Sequence, residues 1–216
     1  MNISDILLGA AIIIAAPAVN RVGEAKAQQI HPNQVVVDSP FVHDPVLAYE
    51  NGKYYLYSTG HGISQMTSAD RKHWTLCREG VLKNHEIPAW THDSVPGFHT
   101  HIWAPDVIHY RNKWYLAYSC STFGKNTSAI GLLSNTSLAN MNGWKDEGCI
   151  LASEGKRDNW NAIDPNFVID DKGNPWMTWG SFWDGIQLVK LDKKTMHVKK
   201  GAKPQTIARR HAFGDA

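Results

Sequence analysis

One pattern, present three times, restricts the fold more than any other feature of the chain. Each copy has an acidic residue beside a proline, a short apolar run, a turn and an aromatic run. The first copy is His43-Asp44-Pro45-Val46-Leu47-Ala48-Tyr49-Glu50-Asn51-Gly52-Lys53-Tyr54-Tyr55-Leu56-Tyr57-Ser58. Asn-Gly between apolar runs predicts a hairpin, because both residues of the favoured tight turn need positive φ. The second copy runs from Ala104-Pro105-Asp106 to Tyr118, and the third from Ile163-Asp164-Pro165 to Trp179. The acidic residues Asp44, Asp106 and Asp164 thus recur roughly every 60 residues, the length of one blade in a strand-built repeat. The expected fold is all-β, a propeller, with equivalent positions facing one axis. That arrangement would bring three carboxylates from distant sequence into one pocket. Hydrophobic periodicity stays near 2, and no amphipathic helix is expected.

Composition narrows the function. The 216 residues carry a formal net charge of +2. The only basic clusters, Lys193-Lys194, Lys199-Lys200 and Arg209-Arg210, are too small for the concentrated basic surface that nucleic acid requires. Nine Trp and seven Tyr are many for this length. Aromatic faces pack inside blades, and they also stack on the apolar C–H faces of sugar rings.

Residues 1–27 read as a signal peptide, with the apolar core Ile6–Ala16 and a small-x-small cleavage site at Ala25-Lys26-Ala27. The amino-terminal region lacks the usual Lys or Arg. Residues 28–216 then form the mature part, expected to be secreted or periplasmic, with no membrane association after cleavage. Three copies of the unit are fewer than the four blades that a closed propeller needs. The mature part is therefore expected to be the N-terminal portion of a longer propeller domain.

Cys77, Cys120 and Cys149 are odd in number and lack metal spacing, so they read as small apolar residues. His92, His99 and His101 have no carboxylate or cysteine at a zinc-site spacing, and no metal site is assigned to them. The long segment 80–103, rich in His, Pro and Trp, reads as a functional loop. Asn126-Thr127-Ser128 and Asn135-Thr136-Ser137 match glycosylation sequons.

Five motifs in order carry a family resemblance. They are Val42-His43-Asp44-Pro45, Trp103-Ala104-Pro105-Asp106, the run Ser121–Gly131, Asn161-Ala162-Ile163-Asp164-Pro165-Asn166 and Gly180-Ser181-Phe182-Trp183-Asp184-Gly185-Ile186. From about residue 41 to 210 the chain resembles glycoside hydrolase family 43, above all its endo-α-1,5-L-arabinanases. The resemblance implies a five-bladed β-propeller, of which about three blades are present here. It also implies hydrolysis of arabinan or arabino-oligosaccharides with inversion, by a monomer. It makes Asp44 the general base and Asp164 the carboxylate that orients the acid and adjusts its pKa. It implies no organic cofactor and leaves room for a structural calcium ion at the axis of the complete domain. The sequence departs from the family at the general acid, a glutamate in an Ile-Glu-Ala-Pro-like motif, because no such motif occurs here.

Around these carboxylates, Trp103, Phe123 and Trp183 read as stacking residues of the arabinose subsites or as inter-blade packing. Asn161, Asn166 and Ser181 are candidate hydrogen-bond partners of the sugar. Asp106 reads as substrate or structural support. His43 reads as a residue that positions Asp44. The alternatives are an exo-acting arabinofuranosidase or β-xylosidase of the same fold, and a non-catalytic carbohydrate-binding fragment.

Overall fold

A computed structural model describes residues 34–210; the signal-peptide reading falls outside this range. Fourteen strands make up nearly all of the regular structure. The first sheet contains β1 (Gln34–Val37), β2 (Val46–Glu50), β3 (Lys53–Ser58), β5 (Ser64–Ser68) and β6 (Trp74–Cys77), in the order β1-β6-β5-β3-β2. The second contains β4 (Gly60–His61), β7 (His101–Tyr110), β8 (Lys113–Cys120), β9 (Ser128–Asn135) and β10 (Lys145–Ser153), in the order β10-β9-β8-β7-β4. The third contains β11 (Asn166–Ile169), β12 (Pro175–Trp179), β13 (Ile186–Lys190) and β14 (Gln205–Ala208), in chain order. Every pairing between these strands is antiparallel.

Each repeat read from the sequence supplies one hairpin to one sheet. The first hairpin turns at Asn51 (φ 50°) and Gly52 (φ 82°), as Asn-Gly requires. The second makes the same turn without glycine, at Arg111 (φ 49°) and Asn112 (φ 65°). In the third, the Asp170 carboxylate accepts from the N–H groups of Lys172 and Asn174 and closes the loop around Gly173.

The middle sheet is covered on both faces. Every residue of β9 is buried, as a strand between two packed layers must be. Along β8, side chains alternate between two cores. Leu116, Tyr118 and Cys120 pack with Tyr55, Tyr57 and Ile102 towards the first sheet. Tyr115 and Ala117 pack with Phe167, Met177, Trp179 and Val189 towards the third. Acidic side chains fasten each junction. Glu50 accepts from Trp114 Nε1 (2.7 Å), Ser137 Oγ (2.7 Å) and Leu138 N (2.8 Å). Burial opposes the Glu50 charge, but these hydrogen bonds outweigh it and hold its pKa below the usual range.

Segment 80–103 proves to be fastened to the core. It contains a short 3₁₀ turn at Lys83–His85 and a single helical turn, α1 (Thr91–Ser94). Val81, Val95 and Phe98 are buried in the first core, and Trp90 packs against it. The three cysteines are free. Cys120 and Cys149 lie in that core, and burial pushes the Cys149 thiol up to about 11. The sequon asparagines Asn126 and Asn135 are buried, with their amides donating to backbone carbonyls, so neither is presented for glycosylation.

Candidate active site

Strands β2 and β11 begin at corners that match a bend inside β7, at its register shift. Asp44 (φ 49°), Ala104 (φ 40°) and Asp164 (φ 55°) each precede a proline and each adopt a left-handed backbone. A residue before proline is normally extended, and positive φ in a non-glycine residue marks stored strain. A corner repeated three times in that state aligns the repeats by structure. Ala104, not Asp106, matches the two aspartates. The pattern of an acidic residue beside a proline hid a shift of two positions, because in the second copy the aspartate follows the proline.

Asp106 accordingly faces elsewhere. Its Oδ2 accepts from Phe167 N (2.6 Å) and Asn166 Nδ2 (3.3 Å), tying the second sheet to the start of β11. Burial pushes its carboxyl up, against these hydrogen bonds. Asn166 and Asp106 therefore satisfy one another across the junction.

At the first corner, Asp44 Oδ2 accepts from Thr59 Oγ1 (2.7 Å) and pairs with His43 Nδ1 (2.7 Å). Thr59 Oγ1 in turn accepts from Ala104 N (2.9 Å), so the middle corner supports the first. At the third corner, Asp164 N donates to Ser119 Oγ (3.0 Å). Desolvation pushes the Asp164 carboxyl up, and the negative charge of Asp44 pushes it further. Two aspartates about 120 residues apart in sequence are thus within electrostatic reach of one another.

Beside Asp164 opens a cavity of about 430 Å³. Five of the residues singled out from the sequence line it: Trp103, Phe123, Asn161, Ser181 and Trp183. Phe123 is 92% exposed and Trp183 41% exposed, so neither ring is used up in packing between sheets. Asn161 is buried; its Oδ1 accepts from Ser128 Oγ (2.6 Å), and its Nδ2 donates to Lys125 O (3.3 Å), which shapes the cavity wall. The sequence reading missed Phe182, which is 86% exposed on the cavity rim. It stood in the quoted Gly180–Ile186 motif, but a sequence does not say which of two adjacent aromatics packs.

Phe182 (φ 54°) and Trp183 (φ 37°) are both left-handed, a costly state for aromatic residues. Asp184 holds them there. Its carboxylate accepts from Thr206 Oγ1 and pairs with Arg209 NH1 (both 2.9 Å), and its N–H donates to Asn159 O (2.8 Å). The Thr206 and Arg209 partners hold the Asp184 carboxyl below its usual range. Gly185 comes so close to the Ala208 carbonyl that a Cβ would collide with it.

Among the described residues, no group of three or more His, Cys, Asp or Glu side chains is arranged to hold a metal ion. These residues do not by themselves make the calcium site that the resemblance left room for.

Repeated antiparallel sheets, with paired aspartates beside an aromatic cavity at one end, define an all-β protein with its polar chemistry gathered where the inner strands begin. The chain belongs to glycosyl hydrolases family 43, whose model matches residues 34–211. It is 43% identical over 159 residues to "Extracellular endo-alpha-(1->5)-L-arabinanase 1" of Bacillus subtilis (strain 168), covering 72% of this chain and 48% of that protein. Among solved structures, the exo-1,5-alpha-L-arabinanase from a bovine ruminal metagenomic library superposes with a TM-score of 0.75 at 52% identity, covering 82% of this chain and 58% of that one. The Cellvibrio cellulosa alpha-L-arabinanase complexed with arabinohexaose superposes with a TM-score of 0.71 at 40% identity, covering 78% and 53%. The chain spans about half the length of the curated relatives it matches.

Proposed function

We propose that the chain is the base-bearing part of a secreted glycosidase that hydrolyses α-1,5-linked arabinan with inversion. Asp44 is the general base in this reading. His43 and Thr59 fix its carboxylate, which takes a proton from the water attacking the anomeric carbon. Asp164 orients the acid and raises its pKa, since a second negative charge opposes ionisation. The family's acid motif does not occur among these residues. An inverting site needs base and acid about 6.5–9.5 Å apart, which leaves room for the water. Trp103, Phe123, Phe182 and Trp183 offer apolar faces to the furanose rings, and Ser181 offers a hydroxyl. Asp106 and Asn166 act in support, through β11.

The observation that carries this reading is the matching left-handed corner at Asp44 and Asp164, with an aromatic cavity next to Asp164. The names of the relatives supply the substrate: arabinan in the curated proteins and arabinohexaose in a solved complex. The word "Extracellular" in the name of the Bacillus subtilis relative agrees with the signal-peptide reading. Exposed apolar residues on the outer sheets support further blades, up to a five-bladed propeller. Leu47 and Tyr49 lie on the first sheet, and Val168 and Ile186 on the third.

Calorimetry with linear arabino-oligosaccharides tests the assignment. Binding should weaken about tenfold in Trp183→Ala, the scale of one lost aromatic contact. Its melting temperature should hardly change. Unchanged binding with lost stability would assign Trp183 to packing. In a form that hydrolyses arabinan, proton NMR of the first product should show the inverted anomer. Retention would refute the mechanism.

A further inference from the structure

A second cavity, of about 590 Å³, opens at the same end of the sheets as the aspartates, and nothing above uses it. The register fixes its place. β3 ends at Ser58, next to Thr59, which donates to Asp44. Gly60 and His61 follow and pair with Ile102 and His101 at the start of β7. Cys77 pairs with Gln65 at the same end of the first sheet. Gly60, His61, Cys77, Arg78, His85 and His101 line the cavity. Two residues beyond His101 on the same strand, Trp103 lines the aromatic cavity. The Asp44–Thr59–Ala104 hub therefore adjoins both along the chain, since Gly60 of the histidine cavity follows Thr59 and Trp103 of the aromatic cavity precedes Ala104.

Its walls are built and fixed. The His61 and His101 rings lie 4.2 Å apart, and His85 lies 6.0 Å from His61. His85 Nδ1 bonds to the His61 carbonyl at 2.9 Å, which leaves its Nε2 for another partner. Val81 N and Leu82 N both donate to the Gly62 carbonyl, so segment 78–85 is pinned to the loop after β3. Gly62 (φ +64°) allows this close approach, since a Cβ there would strike Leu82 O and His85. All three imidazoles are exposed; desolvation, then the neighbouring His101 and His85, hold His61 below the ordinary imidazole range. A neutral imidazole offers one donor and one acceptor, which matches a sugar hydroxyl. The three imidazoles are not arranged to hold a metal ion, and they read as hydrogen-bonding groups.

A polymer longer than the aromatic cavity reaches further surface at this end of the sheets. We propose that the histidine cavity is a second carbohydrate subsite, taking the arabinose units of a long arabinan chain that extend beyond the aromatic cavity. The proposal rests on the arabinan reading given under Proposed function. The imidazoles and Arg78 hydrogen-bond furanose hydroxyls, and Val35 and Leu76 supply apolar wall. Short oligosaccharides fill only the aromatic side.

The test uses the whole chain with linear α-1,5-linked arabinotriose and arabino-octaose in calorimetry. The wild-type protein should bind octaose more tightly than triose. Replacing both His61→Ala and His101→Ala should weaken octaose binding about tenfold, the scale of one or two hydrogen bonds, with triose unaffected. His61→Gln with His101→Gln, which keeps donors and acceptors, should restore part of the loss. Histidine ring signals in NMR of the wild-type protein, which need no variant, should shift with octaose and not with triose. Equal binding of both lengths, or equal losses at both lengths, or ring signals that ignore octaose, would overturn the second subsite alone. If neither oligosaccharide binds the wild-type protein, the arabinan reading falls with it.

Discussion

The corners before β2 and β11 carry aspartates, while the matching bend, inside β7 at its register shift, carries Ala104. All three share a left-handed residue followed by proline. The backbone is the same and the chemistry is not. At the outer corners the strained conformation presents a carboxylate. At the middle corner it presents an N–H group, which donates to Thr59 and through it supports Asp44. The carboxylate of the middle repeat, Asp106, sits two residues later and holds β11 in place. A repeated fold supplies the same position several times, and here two positions present carboxylates while the third is a brace.

Changes at these corners should grade accordingly. The largest effect is expected at the reactive position. In a form of the protein that hydrolyses arabinan, Asp44→Asn should lower turnover about 10²–10⁴-fold, the range of lost general-base catalysis. It should leave the melting temperature nearly unchanged. Retained turnover would place Asp44 with the braces. Next comes Asp106→Ala, which strips the buried Phe167 N–H of its partner. A cost of about 2–3 kcal/mol in urea unfolding is expected for a hydrogen bond to a charged group. A cost near zero would mean that the second junction does not depend on it.

A smaller effect is expected from Thr59→Val, which removes the link between the middle and first corners. Loss of the hydroxyl should cost about 1–2 kcal/mol. The smallest should be Ala104→Gly, with a sign opposite to the rest. Glycine relieves about 1–2 kcal/mol of left-handed strain but adds about 0.5–1 kcal/mol of chain entropy. A net gain of under about 1 kcal/mol in stability is the expected balance. A loss would show that the corner is not strained.

The hairpins were legible because their signals are local. Asn51-Gly52 dictates its turn, and the alternation in Lys113–Cys120 matches a strand with a core on each side. The aromatic cavity was legible in part, since Trp103, Phe123, Ser181 and Trp183 stood in the quoted motifs. What stayed hidden depended on distant pairing. β1 joins β6 at the outer edge of the first sheet, and the two residues of β4 join the second sheet. Neither pairing leaves a local pattern. In segment 80–103 the His and Trp were legible, and Trp103 does line the aromatic cavity; that Val81, Val95 and Phe98 anchor the segment in the core was not. The place of Asp106 was hidden because side-chain identity aligned the repeats by acid, while backbone conformation aligns them by the residue before proline.

The pairing of the outer corners also sets a pH dependence. Asp164 has a native pKa above its unfolded value. Between those two values the native state holds more protons than the unfolded one, so stability falls as pH rises through that window. Removing the Asp44 charge should narrow it.

The most direct test is a carbon-detected NMR titration of the Asp164 carboxyl, in the wild-type chain and in Asp44→Asn. The substitution keeps the shape of the corner and removes its charge. If the two side chains face one site, the Asp164 pKa falls in the variant. If it stays where it was in the wild-type chain, the two aspartates do not share a site.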